Sequence, residues 1–373
     1  MHITAAGNQF VGEFEGDTRF DYVSKVQLDV LDRYKRKLKS KLNVTSNLEF
    51  FTSLDEIFDH CYNNDADIYL IRPPWPTHPD VLFDKLANLK SNRPNSKIVL
   101  IDPFDQTGSR FFNCLETVDV MLKYQSVKDK QSYLTPMLGG HSYSDYYARE
   151  LGCNTDHGSV ISEPKIDQVH KIRAGWSAAE LAYLKRNLLK SQVRNLFPNP
   201  KKDIAVICRM RIGQEHIGSY YERNRSLAVD QLETLRPKYK LASNMEIIGD
   251  DSTESIPRKQ YLDEFKRSKI AVCTFGWGEQ TLREFEAVFN NALIIKPDMS
   301  HVDIFPDLYQ PNVTYVPVKW DYSDLAEKCE YYLNNEDERL KIVKNARKYC
   351  NDYFYNNRFL DKFSEVLEFL DAS

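Results

Sequence analysis

Between Cys273 and Asn291 the chain reads Cys-Thr-Phe-Gly-Trp-Gly-Glu-Gln-Thr-Leu-Arg-Glu-Phe-Glu-Ala-Val-Phe-Asn-Asn. A short apolar run, 270–274, leads into this segment and another, 292–295, leaves it, each of a length suited to a buried strand. Gly276 and Gly278 permit a tight turn and close backbone approach, and residues 281–289 read as a helix. Strand, glycine turn, helix and strand form the unit of an open parallel sheet, in which ligands bind beyond the carboxyl ends of the strands. A helix starting near Thr281 would offer unpaired N–H groups and a partial positive charge, and Arg283 adds a cation in its first turn. A diphosphate is the natural ligand of such a turn. Glu286, three residues after Arg283, shares its helix face and is placed to accept both hydroxyls of a ribose.

Outward from this unit the alternation continues. In the C-terminal half, strands are expected at 204–208, 245–248 and 313–316, and helices at 223–235 and 257–267. In the N-terminal half, strands are expected at 1–5, 48–51, 67–71, 97–101 and 118–123, and helices at 21–42, 53–63 and 79–91. Ser53 and Glu56 have the spacing of a capping box. The pattern breaks over 139–164. A helix over 177–195 follows, with Ser177 and Glu180 at its start, and the Pro-Asn-Pro-Lys-Lys run at 198–202 marks a boundary. Three helices, 322–334, 337–353 and 357–370, close the chain. The expectation is an α/β protein with two Rossmann-like domains, an interdomain cleft and a helical C-terminus. Its parts are a first domain over 1–170, a linker over 171–200, a second domain over 201–355, and a helix over 356–373 that packs back on the first domain.

Composition excludes several classes. The chain has 373 residues, 50 Lys and Arg against 54 Asp and Glu, and 12% aromatics, which suits a compact protein and not a disordered or collagenous one. A net charge of -4 gives no general attraction for a nucleic-acid backbone. No window approaches a membrane-spanning length, and the first ten residues lack the features of a secretion signal. The seven cysteines are scattered with no Cys-x-x-Cys pair, which argues against a disulfide framework or structural zinc and for a reducing, cytoplasmic setting. The sequons at Asn43, Asn224 and Asn312 then read as chance matches. A homo-oligomer is left open.

Residues 275–288 resemble the nucleotide-sugar motif of two-Rossmann (GT-B type) glycosyltransferases, most closely the exostosin-like group. In that group a Gly-aromatic-Gly turn precedes a hydroxyl residue, an Arg and a Glu-Ala pair, and here the likeness continues to Pro297. The resemblance implies a metal-independent hexosyl- or pentosyltransferase of polysaccharide biosynthesis. It would use a nucleotide-sugar co-substrate (a UDP- or GDP-sugar), no bound cofactor and a carbohydrate acceptor. It further implies donor contacts from Gly276, Trp277, Gly278, Glu279, Thr281, Arg283 and Glu286, and more weakly from Arg209, Arg211 and Arg225. Retaining members of the wider fold often carry two glutamates separated by seven residues. Here position 278 is glycine and Glu279 lies one place off that spacing.

Four residues compete as the base of an inverting reaction: Asp17 in the loop after the first strand, Asp102 and Asp105 after the strand at 97–101, and His141. That first loop also carries Asn8, Gln9, Glu13, Glu15 and Arg19. Residues 72–75 are candidates for a sugar-stacking wall, residues 213–225 for a flap over the cleft, and His157 lies near the expected junction. Asp65-Ala66-Asp67 precedes its strand and is not read as a metal site, and Asp250 with Asp251 lacks a third ligand. An epimerase of the same architecture, or a non-catalytic nucleotide- or glycan-binding member, would use the same pocket.

Overall fold

The computed structural model describes residues 1–8, 18–155, 163–176, 182–194, 201–250 and 252–372. In the first half the strands are β1 (His2–Asn8), β2 (Thr45–Phe51), β3 (Ile68–Arg72), β4 (Lys97–Ile101), β5 (Val120–Lys123), β6 (Gln125–Val127) and β7 (Ile172–Ala174). All but β6 form one parallel sheet in the order β2-β1-β3-β4-β5-β7. The helices of this half are α1 (Thr18–Leu42), α2 (Leu54–Asn63), α3 (Pro79–Asn92), α4 (Ser142–Leu151) and α5 (Ala182–Arg194). Every residue of β3 is buried, because helices cover both faces of the sheet and a strand in that position must be apolar throughout. At α2 the expected capping box is present: the Ser53 hydroxyl accepts from the Glu56 amide, and the Glu56 carboxylate accepts from the Ser53 amide.

The second half repeats the plan with β8 (Ile204–Gly213), β9 (Leu241–Ile248), β10 (Ser268–Val272), β11 (Leu293–Pro297), β12 (Val302–Ile304) and β13 (Val316–Val318). Its parallel sheet runs β13-β11-β10-β8-β9. Its helices are α6 (Tyr220–Glu233), α7 (Arg258–Arg267), α8 (Arg283–Phe289), α9 (Leu325–Asn334), α10 (Glu336–Tyr355) and α11 (Phe359–Ala372). Helix α11 buries Phe359, Phe363, Val366 and Leu370 in the same core as Ile3, Leu70 and Val99 of the first sheet. Two parallel sheets flanked by helices, with a cleft between them and a helical C-terminus, make a two-Rossmann fold of the GT-B type. No helix among the described residues is long and apolar enough to cross a membrane.

The halves are joined by more than the chain. Strand β6 leaves the first sheet and pairs antiparallel with β12, Val127 opposite Val302 and Gln125 opposite Ile304. Lys130 adds an ion pair to Asp303 at 3.0 Å. Helix α4 docks two tyrosines across the boundary: Tyr143 donates to the Gly276 carbonyl at 2.6 Å and Tyr147 to the Trp320 carbonyl at 2.5 Å.

Several expectations need correction. Helix α4 lies inside 139–164, where the helical period is obscured because its buried face is made of Tyr143, Ser144 and Tyr147 instead of aliphatic residues. Strand β8 does not stop at 208 but runs to Gly213, so Arg209 and Arg211 belong to the strand. Residues 213–225 are not one loop, since α6 already starts at Tyr220 with Ser219 as its cap. Asn224 is buried and bonded to Phe275 and Tyr322, which leaves no room for a glycan. Ser177, Glu180, His157 and Asp251 lie outside the described residues.

Candidate active site

The cleft between the sheets has a volume of about 540 Å³. Asp105, Tyr124 and Gln125 face it from the first half. From the second half come residues of β8 and β9, the glycine turn and α8. Two-residue periodicity explains the β8 contribution: Met210 and Ile212 are buried, while Arg209 and Arg211 share the opposite face. They stand in register with Asn244 and Glu246 of β9, which also line the cleft. Arg209, Arg211, Arg225, Gly276, Trp277, Gly278, Thr281, Arg283 and Glu286 all lie in this one wall.

The arginines of that wall differ in their partners. Arg209 makes a forked pair with Glu264, 2.8 and 2.7 Å, with Glu254 at 3.5 Å. Burial alone would raise the Glu264 carboxyl, but the hydrogen bonds from Arg209 and Gln260 hold it below the ordinary glutamate value. Arg211 pairs with Glu246 at 3.2 Å. Arg225 and Arg283 have no carboxylate within ion-pair distance among the described residues. Arg225 bonds the Arg211 carbonyl and the Tyr221 hydroxyl, and its guanidinium lies 4.0 Å from the centre of the Tyr221 ring. Arg283 donates to the Arg209 carbonyl at 3.0 Å and approaches the Met210 sulfur at 3.1 Å. The Nε of each is buried without a hydrogen-bond partner among the described residues. Burial lowers the pKa of Arg225; Tyr221 opposes that shift, and Arg283 adds to it through like charge. Two partly desolvated cations in one wall, with no carboxylate at ion-pair distance among the described residues, are costly, and an anion in the cleft would relieve that cost.

The turn and α8 do not behave as the sequence suggested. The Thr281 amide and hydroxyl donate to the Glu284 carboxylate at 3.0 and 2.7 Å, and the Arg283 amide approaches the Thr281 hydroxyl at 3.3 Å. Thr281 and Glu284 are therefore tied together in the turn, while the N-cap position itself, Leu282, makes no side-chain cap. Glu284 is further held by Lys296, both side chains being fully buried and 2.7 Å apart. A buried carboxylate in the first turn opposes an anion there, so the arginines are the stronger source of positive charge for a phosphate. The glycines also act differently: neither has a positive φ, but a Cβ on Gly278 would collide with the Asp105 carbonyl and the Gln125 amide. Gly278 is small because the first domain packs against it. Gln125 locks the contact, donating to the Asp105 carbonyl and accepting from the Gln280 amide at 3.1 Å.

Glu286 accepts from the Tyr261 hydroxyl at 2.5 Å. Burial raises its carboxyl pKa, opposed by Tyr261 and Arg283. Trp277 is 47% exposed and stacks on Tyr221 with 4.9 Å between ring centres.

Glu279, expected at the donor, is instead fully buried at the domain boundary, where it accepts from Thr107 at 2.8 Å and faces His301 at 3.9 Å. The turn points it away from the cleft, into the contact between the halves. Asp102 is also fully buried, paired with Lys123 and not part of the cleft lining. His141 is a buried N-cap of α4 whose Nδ1 accepts from the Ser144 amide, and burial lowers its pKa to about 4. Asp17 lies outside the described residues, as do Gln9, Glu13 and Glu15, and the side chain of Arg19 is not described. Only Asp105 of the four base candidates lines the cleft among the described residues. The surrounding walls raise its carboxyl by desolvation, opposed by Arg72 and Lys123.

Arg72 is buried against Gln27, while Trp75 is exposed. Asp65 and Asp67 hold Arg93 and the His2 amide, and Asp250 bonds Ser252. Tyr124, Asn244, Ile256, Arg258 and Tyr261 also face the cleft and were not singled out from sequence. Their side chains reach the site through packing between elements, which leaves no local motif.

With this geometry described, the chain can be set beside known proteins. Residues 223–364 match a family described as glycosyl transferase-like. Human protein O-glucosyltransferase 3 is 28% identical over 81 residues, a match that covers 22% of this chain and 16% of that protein. Among solved structures, a glycosyltransferase from Rickettsia africae ESF-5 aligns with a TM-score of 0.48 at 14% identity, covering 100% of this chain and 99% of the other. Alr3699/HepE of Anabaena, in complex with UDP-glucose, aligns at 0.46 and 9% identity, covering 99% of each chain.

Proposed function

We propose that the chain is a glycosyltransferase that moves a sugar from a nucleotide diphosphate donor to a hydroxyl of a carbohydrate acceptor, with no metal ion. The observation that carries this reading is the pair Arg225 and Arg283, half-buried in the same wall of the cleft with no carboxylate at ion-pair distance among the described residues. The diphosphate lies against this pair, and Glu286 with Tyr261 takes the ribose. The second half is the donor domain and the first half faces the acceptor. The Gly276-Trp277-Gly278 turn and the Arg283 to Ala287 spacing support a place in the exostosin-like group, and the match over residues 223–364 supports the wider class.

Asp105 is the general base. It takes the proton from the acceptor hydroxyl as that oxygen bonds to the anomeric carbon, and the bond from that carbon to the diphosphate oxygen breaks. The negative charge on the departing diphosphate is balanced by Arg225 and Arg283, fixed cations that need no reorganisation as the charge develops. The reaction is then inverting. The test is thermal stabilisation by UDP, GDP and ADP, each with EDTA and with a divalent ion, followed by product analysis with the matching nucleotide-sugar. One nucleoside diphosphate should raise the melting temperature in EDTA, and Asp105→Asn should keep that shift while losing about 100-fold or more in transfer. An absent shift overturns the assignment. Release of an epimer with no acceptor consumed would assign an epimerase.

A further inference from the structure

Tyr124 follows β5 and precedes β6, at the point where the first half crosses to the second. Its ring packs in the same core as Tyr143, Tyr220 and Phe275 and is only 5% exposed. Tyr124 nevertheless lines the cleft, and its hydroxyl is buried with no hydrogen-bond partner among the described residues. Buried hydroxyls are paired in the large majority of cases, because an unpaired one forfeits its hydration without replacement. Phenylalanine would pack as well here, so the hydroxyl calls for a partner that the described residues do not supply.

The surroundings indicate which part of a ligand reaches it. Arg225, Arg283 and Tyr221 line the cleft from the second half, and Asp105 and Tyr124 line it from the first. Asp105 is tied to the segment that carries Tyr124, since the side-chain amide of the next residue, Gln125, donates to the Asp105 carbonyl. A diphosphate on the arginines leaves its terminal substituent, the sugar, in the space beside Asp105. Desolvation raises the Tyr124 pKa, so the group stays a hydrogen-bond donor at neutral pH. A sugar presents oxygens at every ring position.

We propose that Tyr124 recognises the transferred sugar, donating its hydroxyl hydrogen to a sugar oxygen, and does not touch the nucleoside diphosphate. This rests on the glycosyltransferase reading above and deepens it by assigning sugar recognition to the acceptor-side domain. The test is calorimetric titration of wild-type protein and Tyr124→Phe with UDP, GDP, UDP-glucose and GDP-mannose. An unchanged melting temperature shows that the variant is folded. The expected result is that the variant binds the preferred nucleoside diphosphate within about twofold of wild type but binds its sugar derivative about tenfold more weakly. Equal losses on both ligands would move the hydroxyl to the diphosphate, and no loss on either would remove it from the site; each result overturns the proposal. Wild-type protein that binds none of the four would overturn the underlying functional reading, an outcome distinct from a tyrosine that makes no difference.

Discussion

Arg209 and Arg211 line the same cleft as Arg225 and Arg283, yet among the described residues only the first two have a carboxylate at ion-pair distance. Arg209 is held by a carboxylate fork and Arg211 by Glu246, whereas Arg225 and Arg283 lean on carbonyls, a tyrosine and a sulfur. Residue type and proximity to the cleft do not separate these pairs. The separation lies in where the counter-charges are: Glu264 on α7 and Glu246 on β9 reach only the β8 arginines. A cation with its own carboxylate has little field left for a ligand, and a bare one keeps it. On the proposed reading, the β8 pair fixes the wall, and the α6 and α8 pair provides the anion site.

The largest effect should come from the bare pair. Arg283→Lys and Arg225→Gln are each expected to lower transfer by about 100- to 1000-fold, the scale of losing one preorganised contact to developing charge. Steady-state rates with saturating acceptor check this, and near wild-type turnover in both would erase the distinction. The next effect is one of stability. Arg209→Gln leaves the nearly buried Glu264 without its partner and should cost about 2–4 kcal/mol in urea unfolding, while nucleotide affinity changes by less than about threefold.

The same pair sets a pH dependence. Glu264 titrates below its ordinary value of 4.5 when folded, so the unfolded chain binds the extra proton between the two pKa values. Its contribution to stability is complete above about pH 4.5 and is lost as the pH falls through the lower, folded value. Unfolding curves from pH 7 down to pH 3 should therefore show wild type and Arg209→Gln converging at the acid end. A gap that persists unchanged would show that the pair's contribution is not electrostatic. The smallest effect is expected at Arg211, whose side chain is 59% exposed. Arg211→Gln should shift stability by no more than about 1 kcal/mol and nucleotide affinity by less than about threefold.

What the sequence revealed follows the range of the interactions involved. Strand β4 is read to the residue and the Ser53–Glu56 cap is read in full, because an apolar run and a three-residue spacing are local signals. The stretch from Gly276 to Glu286 was legible for the same reason, and most of its residues do meet in one cleft. Glu279 was misplaced because only the opposing Thr107 and His301 decide that it turns inward. Helix α4 and the β6–β12 pair were missed because each is defined by contacts with the other half of the chain. Sequence likewise put Arg209 and Arg211 on the same footing as Arg225, since it does not show which arginine meets which carboxylate. Tyr124 carries no motif and is found only through its unpaired hydroxyl.

The most direct measurement is calorimetric affinity for the nucleoside diphosphate that stabilises the wild-type protein, compared across Arg225→Gln, Arg283→Lys, Arg209→Gln and Arg211→Gln at one ionic strength. The account predicts that the first two variants lose about 30-fold or more while the last two stay within about threefold of wild type. Equal losses in all four, or a loss confined to Arg209 and Arg211, would contradict it.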